Sequence, residues 1–301
     1  MTTPSHALPP QIFDRPVLER RRARAAERAA NHDFLLARIG EDFAERLAAV
    51  RRSFPVVADI GAHHGVIGRA LKETLGLEQL ISLENTPGLL SQCVGTRVQG
   101  HPEALPLAAE SLDLAVSALS LHLTNDVPGA LVQMRRALKP DGLLIASLLG
   151  GVTLHELREA WLIAESEVCG GASPRVAPFA DVRDLGGLLQ RAGFALPVVD
   201  SETLSVTYTS PLALMQEIKA MGASNMLHER SRRPVSRRLM MRAAEVYAQR
   251  FGLPNGRVPA TFEIITLTAW VPHESQPKPL RPGSATTRLA EALGTTESKL
   301  K

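Results

Sequence analysis

Cysteine is almost missing from this chain: Cys93 and Cys169 are its only two in 301 residues. Two thiols cannot form a disulfide framework or a cysteine metal site, which suits a reducing compartment. Aromatic residues are scarce as well, at 4%. The basic runs Arg20 to Arg28 and Arg230 to Arg242 have no interleaved rings on which bases could stack. Despite the net charge of +3, nucleic-acid binding is therefore set aside, and the runs read as solvated helix faces or docks for an acidic protein partner. No apolar stretch reaches the roughly 18 residues of a membrane-spanning helix, so no transmembrane segment is expected. Met1 to Pro10 lacks a signal-peptide core, and the arginines begin only at Arg15, interleaved with glutamates, unlike an organelle presequence. The chain also lacks the Gly-Lys-Ser/Thr ending of a P-loop, the three-glycine dinucleotide fingerprint and any internal repeat. What is present, 45% hydrophobic and 22% charged residues, is enough for one α/β domain with an elaboration.

The most informative stretch is Val56-Val57-Ala58-Asp59-Ile60-Gly61-Ala62-His63-His64-Gly65. It reads as a buried strand entering a tight glycine turn and then a helix, where backbone N–H groups face a ligand. The spacing Asp-x-Gly-x-x-x-Gly resembles the first motif of class I S-adenosylmethionine (SAM) methyltransferases, with His63 in place of that motif's middle glycine. A side chain there obstructs the cofactor or strains the backbone by about 1–3 kcal/mol. Taken alone, Gly61 and Gly65 are also consistent with plain turn glycines. About twenty residues on, Gln79 to Leu83 reads as a second strand ending at Glu84, where a parallel nucleotide-binding sheet places an acid for ribose hydroxyls. In the resembled family an acid before the Glu103-Ala104-Leu105-Pro106 segment bonds adenine, and His101 holds that position here. The expected SAM contacts are Asp59, Gly61, Ala62, His63, Gly65, Glu84, His101, Leu105 and Ser117.

Strands alternate with helical stretches from Val56 to Leu148, which indicates a parallel sheet covered on both faces. Ser111 to Ser117 is the third strand, a helix ends at Leu138, and Lys139-Pro140-Asp141-Gly142 turns the chain into Leu143 to Leu148. Beyond it come helices over Leu154 to Val168 and Asp181 to Ala192, an extended stretch from Val198 to Tyr208, and a final β-branched strand from Ala260 to Val271. The expected fold is a class I SAM-dependent methyltransferase (Rossmann-like) α/β fold. A helical N-terminal arm covers residues 1–50 and the methyltransferase-like domain 51–271. A helical insertion over about 211–251 precedes the last strand, and 272–301 forms an extended tail.

The chain as a whole is similar to the complex I assembly factor family, whose mitochondrial members are linked to arginine hydroxylation of a complex I subunit. The resemblance rests on Ile12-Phe13-Asp14-Arg15, on Leu119 to His122 with Asn125-Asp126, on Gly150 to Arg158, on Met221 to Asn225, and on Val258 to Thr261. It extends into the tail, with Trp270, His273-Glu274-Ser275-Gln276 and Gly283 to Thr286. The malonyl-carrier-protein methyltransferase of biotin synthesis is a more distant relative. The resemblance implies modification of a protein side chain, by methylation or hydroxylation, with SAM as cofactor and a complex I subunit as substrate or client. A bacterial, cytoplasmic member is expected, reaching the membrane periphery through its client. Two alternatives stay open: a non-catalytic assembly chaperone with a degenerate SAM site, and a small-molecule or carrier-protein methyltransferase. His122 is the candidate catalytic residue, for positioning or proton handling, with a structural histidine as the bland alternative; His155 and Glu156 are weaker ones. Hydroxylation requires a redox partner because a sulfonium cannot deliver oxygen. No metal ligands are assigned, since the pair His63 and His64, with His101, converges only if adjacent rings point the same way.

Overall fold

A computed structural model describes residues 11–277 apart from residue 76, together with isolated positions after 277. Seven strands form one sheet in the order β3-β2-β1-β4-β5-β7-β6. They are β1 (Val56–Ile60), β2 (Gln79–Glu84), β3 (Thr96–Gln99), β4 (Leu112–Ala118), β5 (Leu138–Leu149), β6 (Ala195–Tyr208) and β7 (Val258–Trp270). From β3 to β5 every pairing is parallel, while β7 runs antiparallel between β5 and β6. This is the α/β Rossmann-like architecture expected from the alternating pattern, with an antiparallel strand closing the sheet.

The helices are α1 (Arg15–Ala25), α2 (Phe34–Ala48), α3 (Val66–Leu75), α4 (Pro87–Leu90), α5 (Val127–Ala137), α6 (His155–Cys169), α7 (Val182–Arg191), α8 (Pro211–Ala220) and α9 (Arg237–Phe251). Their starts follow local chemistry: the side chains of Asp14, Asp126, Asp181, Ser210 and Ser236 each accept a first-turn backbone N–H. Proline in the first turn of α1, α5 and α8 presets the helical φ where no donor is needed.

Strand alternation divides the core. Leu143 and Ile145 of β5 pack with Phe43, Leu71, Ala160 and Tyr247 on one side, while Leu144 and Ala146 pack with Leu131, Leu185 and Leu189 on the other. In β4, Leu112 shares the second face with Ala115 although Leu114 faces the first. The register shifts at this point, with Leu112 paired to Leu138 and Leu114 to Leu143, the extra residues lying in β5. Truncating a fully buried leucine such as Leu114 to alanine costs about 2–5 kcal/mol.

Two details differ from the sequence reading. β3 was not anticipated, because three of its four residues are exposed and it carries no apolar signal. Arg230 to Arg242 is helical only from Arg237, with residues 230–236 irregular around Pro234. The tail begins on the sheet: the Gln276 amide donates to Asp141 Oδ1 and to Val271 O, each at 2.8 Å, and Asp141 also pairs with Arg52. Of the tail motif Gly283 to Thr286, all but Ser284 lies outside the described residues. No described helix is long and apolar enough to cross a membrane.

Candidate active site

The turn after β1 is held by backbone bonds, with Gly61 and Ala62 both donating to Leu83 O at 2.8 and 3.0 Å. Gly61 has φ 73°, and a Cβ there would lie 2.0 Å from Ser120 Oγ, so only glycine fits. Gly65 has φ 84°, and a Cβ there would lie 2.9 Å from the Cys93 backbone. His63, where the motif has glycine, sits at φ 51°, a left-handed conformation that a side chain adopts at a cost of roughly 1–2 kcal/mol.

Three of the expected contacts make structural bonds. Asp59 is fully buried, and its Oδ2 accepts from the Gly68 amide at 3.2 Å, pinning α3 to β1; its Oδ1 has no partner among the described residues. Burial, reinforced by the nearby Glu84 carboxylate, pushes the Asp59 acid up to about 7. The Ser117 hydroxyl donates to Ile60 O at 2.8 Å inside the sheet, tying β4 to β1. Leu105 packs against the second core face, and its amide donates to Gln133 Oε1.

Glu84 is where the site converges. It is 1% exposed, and its Oε1 accepts from the Thr86 amide at 2.9 Å. Its Oε2 accepts from the His63 amide at 3.1 Å and from the Arg22 guanidinium at 2.9 Å. Arg22 also lies 3.0 Å from His63 Nδ1. No pattern in the sequence distinguishes Arg22 from the arginines beside it, and the reading of Arg20 to Arg28 as a solvated face is corrected here and at Arg21, which donates to Asn225 O. A cavity of about 20 Å³ is lined by Gly61, Glu84, His101, Ser120 and Arg22. His101 Nδ1 accepts from the Glu103 amide at 3.2 Å, and burial, with Arg15 and Arg22 nearby, lowers its pKa to about 4.

On the other side of Arg22 and His63 opens a cavity of about 460 Å³, also lined by His122. His122 lies in the short turn of 3-10 helix Leu121–Leu123 after β4. Its ring meets Phe179 edge to face at 5.8 Å. His63 Nε2 and His122 Nδ1 are buried with no hydrogen-bond partner among the described residues. Burial, with His63 and Arg22 close by, drives the His122 pKa down to about 3; burial, Arg22 and His64 hold His63 well below its ordinary value. Both rings are neutral at physiological pH. His64 turns away, its Nε2 meeting Asp33 at 3.0 Å, and no cluster of three metal-ligating side chains occurs among the described residues. Glu156 accepts from the Thr261 amide and hydroxyl, which places it in a structural role against β7, with the His155 side chain about half exposed.

The N-terminal arm roofs both cavities through contacts the sequence left unassigned. The Phe13 amide donates to Asn125 Oδ1 at 2.8 Å, and Asn125 Nδ2 returns a bond to Phe13 O at 3.2 Å. Phe13 forms an antiparallel bridge with Leu227, and Asp14 pairs with Arg230 at 2.9 Å. Gly222, at φ 76°, lets the segment after α8 pass against α1: an added Cβ would sit 3.2 Å from the Arg22 backbone.

The residues around the small cavity fit an adenosyl group in kind: a cradle that a Cβ would fill at Gly61, a buried carboxylate at Glu84 and an imidazole at His101. Arg22 holds one Glu84 oxygen, and the space of about 20 Å³ is that of a single water, so entry of the group requires the arm that carries Arg22 to move back from the turn.

Residues 58–146 match the family described as "Methyltransferase domain". The YcgJ protein of Bacillus subtilis shares the fold at TM-score 0.54 and 16% identity, covering 78% of this chain and 99% of its own. Malonyl-[acyl-carrier protein] O-methyltransferase of Halorhodospira halophila is 34% identical over 86% of this chain and 89% of its own. The zebrafish (Danio rerio) protein "Arginine-hydroxylase NDUFAF5, mitochondrial" is 37% identical over 291 residues, which is 93% of this chain and 89% of that protein. With a match that spans 93% of its length, this chain belongs to the NDUFAF5 arginine-hydroxylase family, on a class I methyltransferase fold.

Proposed function

We propose that the protein binds SAM at the turn after β1 and modifies a side chain of a protein partner during assembly of respiratory complex I. The observation that carries this reading is the near whole-length similarity to the arginine hydroxylases, which includes the arm and the insertion that close over the cleft. SAM supplies an activated methyl group on its sulfonium. Glu84 accepts the ribose hydroxyls, Gly61 lets the backbone approach the ligand, and His101 faces the same space. Asp59 and Ser117 act one step removed, by fixing α3 and β1 in place. His122 presents a neutral imidazole from the far side of His63, where it orients the reacting group; with its pKa held at about 3 it is a weak proton acceptor. The chain acts in the bacterial cytoplasm, on a complex I subunit.

Calorimetric titration with S-adenosylhomocysteine tests the cofactor half of this reading, with Glu84→Ala as control. Micromolar binding that the substitution abolishes supports it, and absence of binding at millimolar ligand overturns it. Mass spectrometry of the client subunit, expressed with and without the protein, tests the other half: a gain equal to a methylene or to an oxygen identifies the chemistry, and an unchanged mass counts against an enzyme.

One observation favours a second reading. The Glu84 carboxylate is already satisfied by Arg22 at 2.9 Å, as in a chaperone that kept the fold and lost the cofactor. Client capture without cofactor binding or a mass change supports that reading.

A further inference from the structure

The cavity of about 460 Å³ is as large as a site for a complete small molecule. Leu36, Leu157, Trp161, Met215, Ile218 and Phe262 supply much of the surface. Its charged lining consists of Arg21, Arg22, Arg175 and Lys219 against a single carboxylate, Asp33. Asp33 is engaged by His64, Arg22 by Glu84 and Arg175 by Glu165. That leaves two cations. Arg21 donates to Asn225 O and makes no ion pair among the described residues, and Lys219, exposed at the rim, makes none either. Burial first, then the neighbouring Arg230 and Arg24, lower the Arg21 pKa, with Asp14 opposing them through space. Two neutral ring nitrogens, His63 Nε2 and His122 Nδ1, are buried without partners, and both rings line this space.

An apolar chamber flanked by cations that lack an ion-pair partner favours a molecule that has an alkyl body and an anionic head. The body removes apolar wall from water at about 25 cal/mol per Å², and the head gives the guanidinium a charge-assisted partner. A cationic head would meet the surplus positive charge, and an apolar peptide segment would leave Arg21 and Lys219 unanswered. We propose that this cavity binds a single-chain anionic amphiphile, an alkyl chain carrying a carboxylate or phosphate, with the head at Arg21 and Lys219 and the chain among Leu157, Trp161 and Phe262. The site is distinct from the small cavity at Gly61 and Glu84 and does not require Arg22 to leave Glu84, so it stands or falls apart from the cofactor reading.

The full chain is titrated calorimetrically with dodecanoate, dodecyl phosphate, octanoate and dodecylammonium, each below its micellar concentration and without SAM. Dodecanoate or dodecyl phosphate binds one per protein in the micromolar range, octanoate at least tenfold more weakly, and dodecylammonium at least tenfold more weakly than the better anion. The two anions together decide whether the head is a carboxylate or a phosphate. Arg21→Met with Lys219→Met weakens the anions about tenfold while the thermal midpoint stays within a few degrees. Ile218→Trp, which fills the chamber, abolishes binding of either chain length. Absence of binding, equal affinity for dodecylammonium, or binding that survives the filled chamber in a folded variant overturns the proposal. S-adenosylhomocysteine binding, measured on the same preparations, reports separately on the cofactor site.

Discussion

Arg22 and Glu84, one on the first helix and the other at the end of β2, meet at 2.9 Å with side chains only 12% and 1% exposed. The pair joins the N-terminal arm to the glycine turn through one carboxylate, which also holds the His63 amide at 3.1 Å. Arm position and carboxylate availability are therefore a single variable.

Removing one partner of a buried ion pair leaves the other charged and unanswered, at a cost of about 3–5 kcal/mol. Arg22→Met should lower unfolding free energy by about 3 kcal/mol, and Arg22→Met with Glu84→Gln should recover most of it. Urea unfolding of the two variants measures this, and equal destabilisation in both would show that the arginine acts by packing alone.

His63 combines a left-handed backbone with a side chain where related motifs have none. His63→Gly should relieve about 1 kcal/mol of backbone strain and free a donor of Arg22. Binding of S-adenosylhomocysteine should then strengthen several-fold by calorimetry. Weaker binding would mean that the imidazole contacts the ligand.

The acid of Asp59 has its folded pKa raised from 3.8 to about 7. Between those values the folded state holds the proton and the unfolded state does not, so this residue makes stability fall as pH rises, by at most about 1.4 kcal/mol per pH unit. Its contribution is fully present below pH 3.8 and is lost through about pH 7. Asp59→Asn keeps an acceptor for the Gly68 amide and should flatten this part of the profile. Thermal midpoints of both proteins across that range give the comparison, and parallel profiles would contradict the assignment.

For His122 the sign is opposite. Its folded pKa lies at about 3 against an ordinary 6.5, so the ring stays neutral in the folded protein, and its contribution to stability declines as pH falls below 6.5. Imidazole nitrogen shifts followed by NMR from pH 8 to pH 5 should show no titration of His122. A midpoint near the ordinary value would place the ring in water and remove it from the cavity wall.

Much of the sheet could be read from the sequence because β1, β2, β4 and the second half of β5 are buried on both faces and so spell contiguous apolar runs. β3 could not, since its exposed Thr96 and Arg97 resemble loop. In the site, Gly61 and Glu84 were legible because backbone conformation and strand register constrain residue type. Arg22 was not: a helix arginine looks the same whether it faces solvent or a carboxylate 62 residues away. Ser117 illustrates the converse. A serine late in a buried strand suggests a ligand contact, but which acceptor takes its proton, here Ile60 O, depends on a neighbouring strand rather than on local sequence.

The contacts of Phe13 and Asp14 also have a temporal side. Asp14 meets a partner 216 residues later in the chain, and Phe13 one 112 residues later. A ribosome delivers the arm well before its dock. Until Arg230 has left the exit tunnel, Phe13, Val17 and Leu18, buried in the finished fold, have no complete surface to cover them. Contacts of such long range are late events in folding. The arm thus settles only after its dock has been made, and the cleft it roofs exists only once synthesis of most of the chain is over.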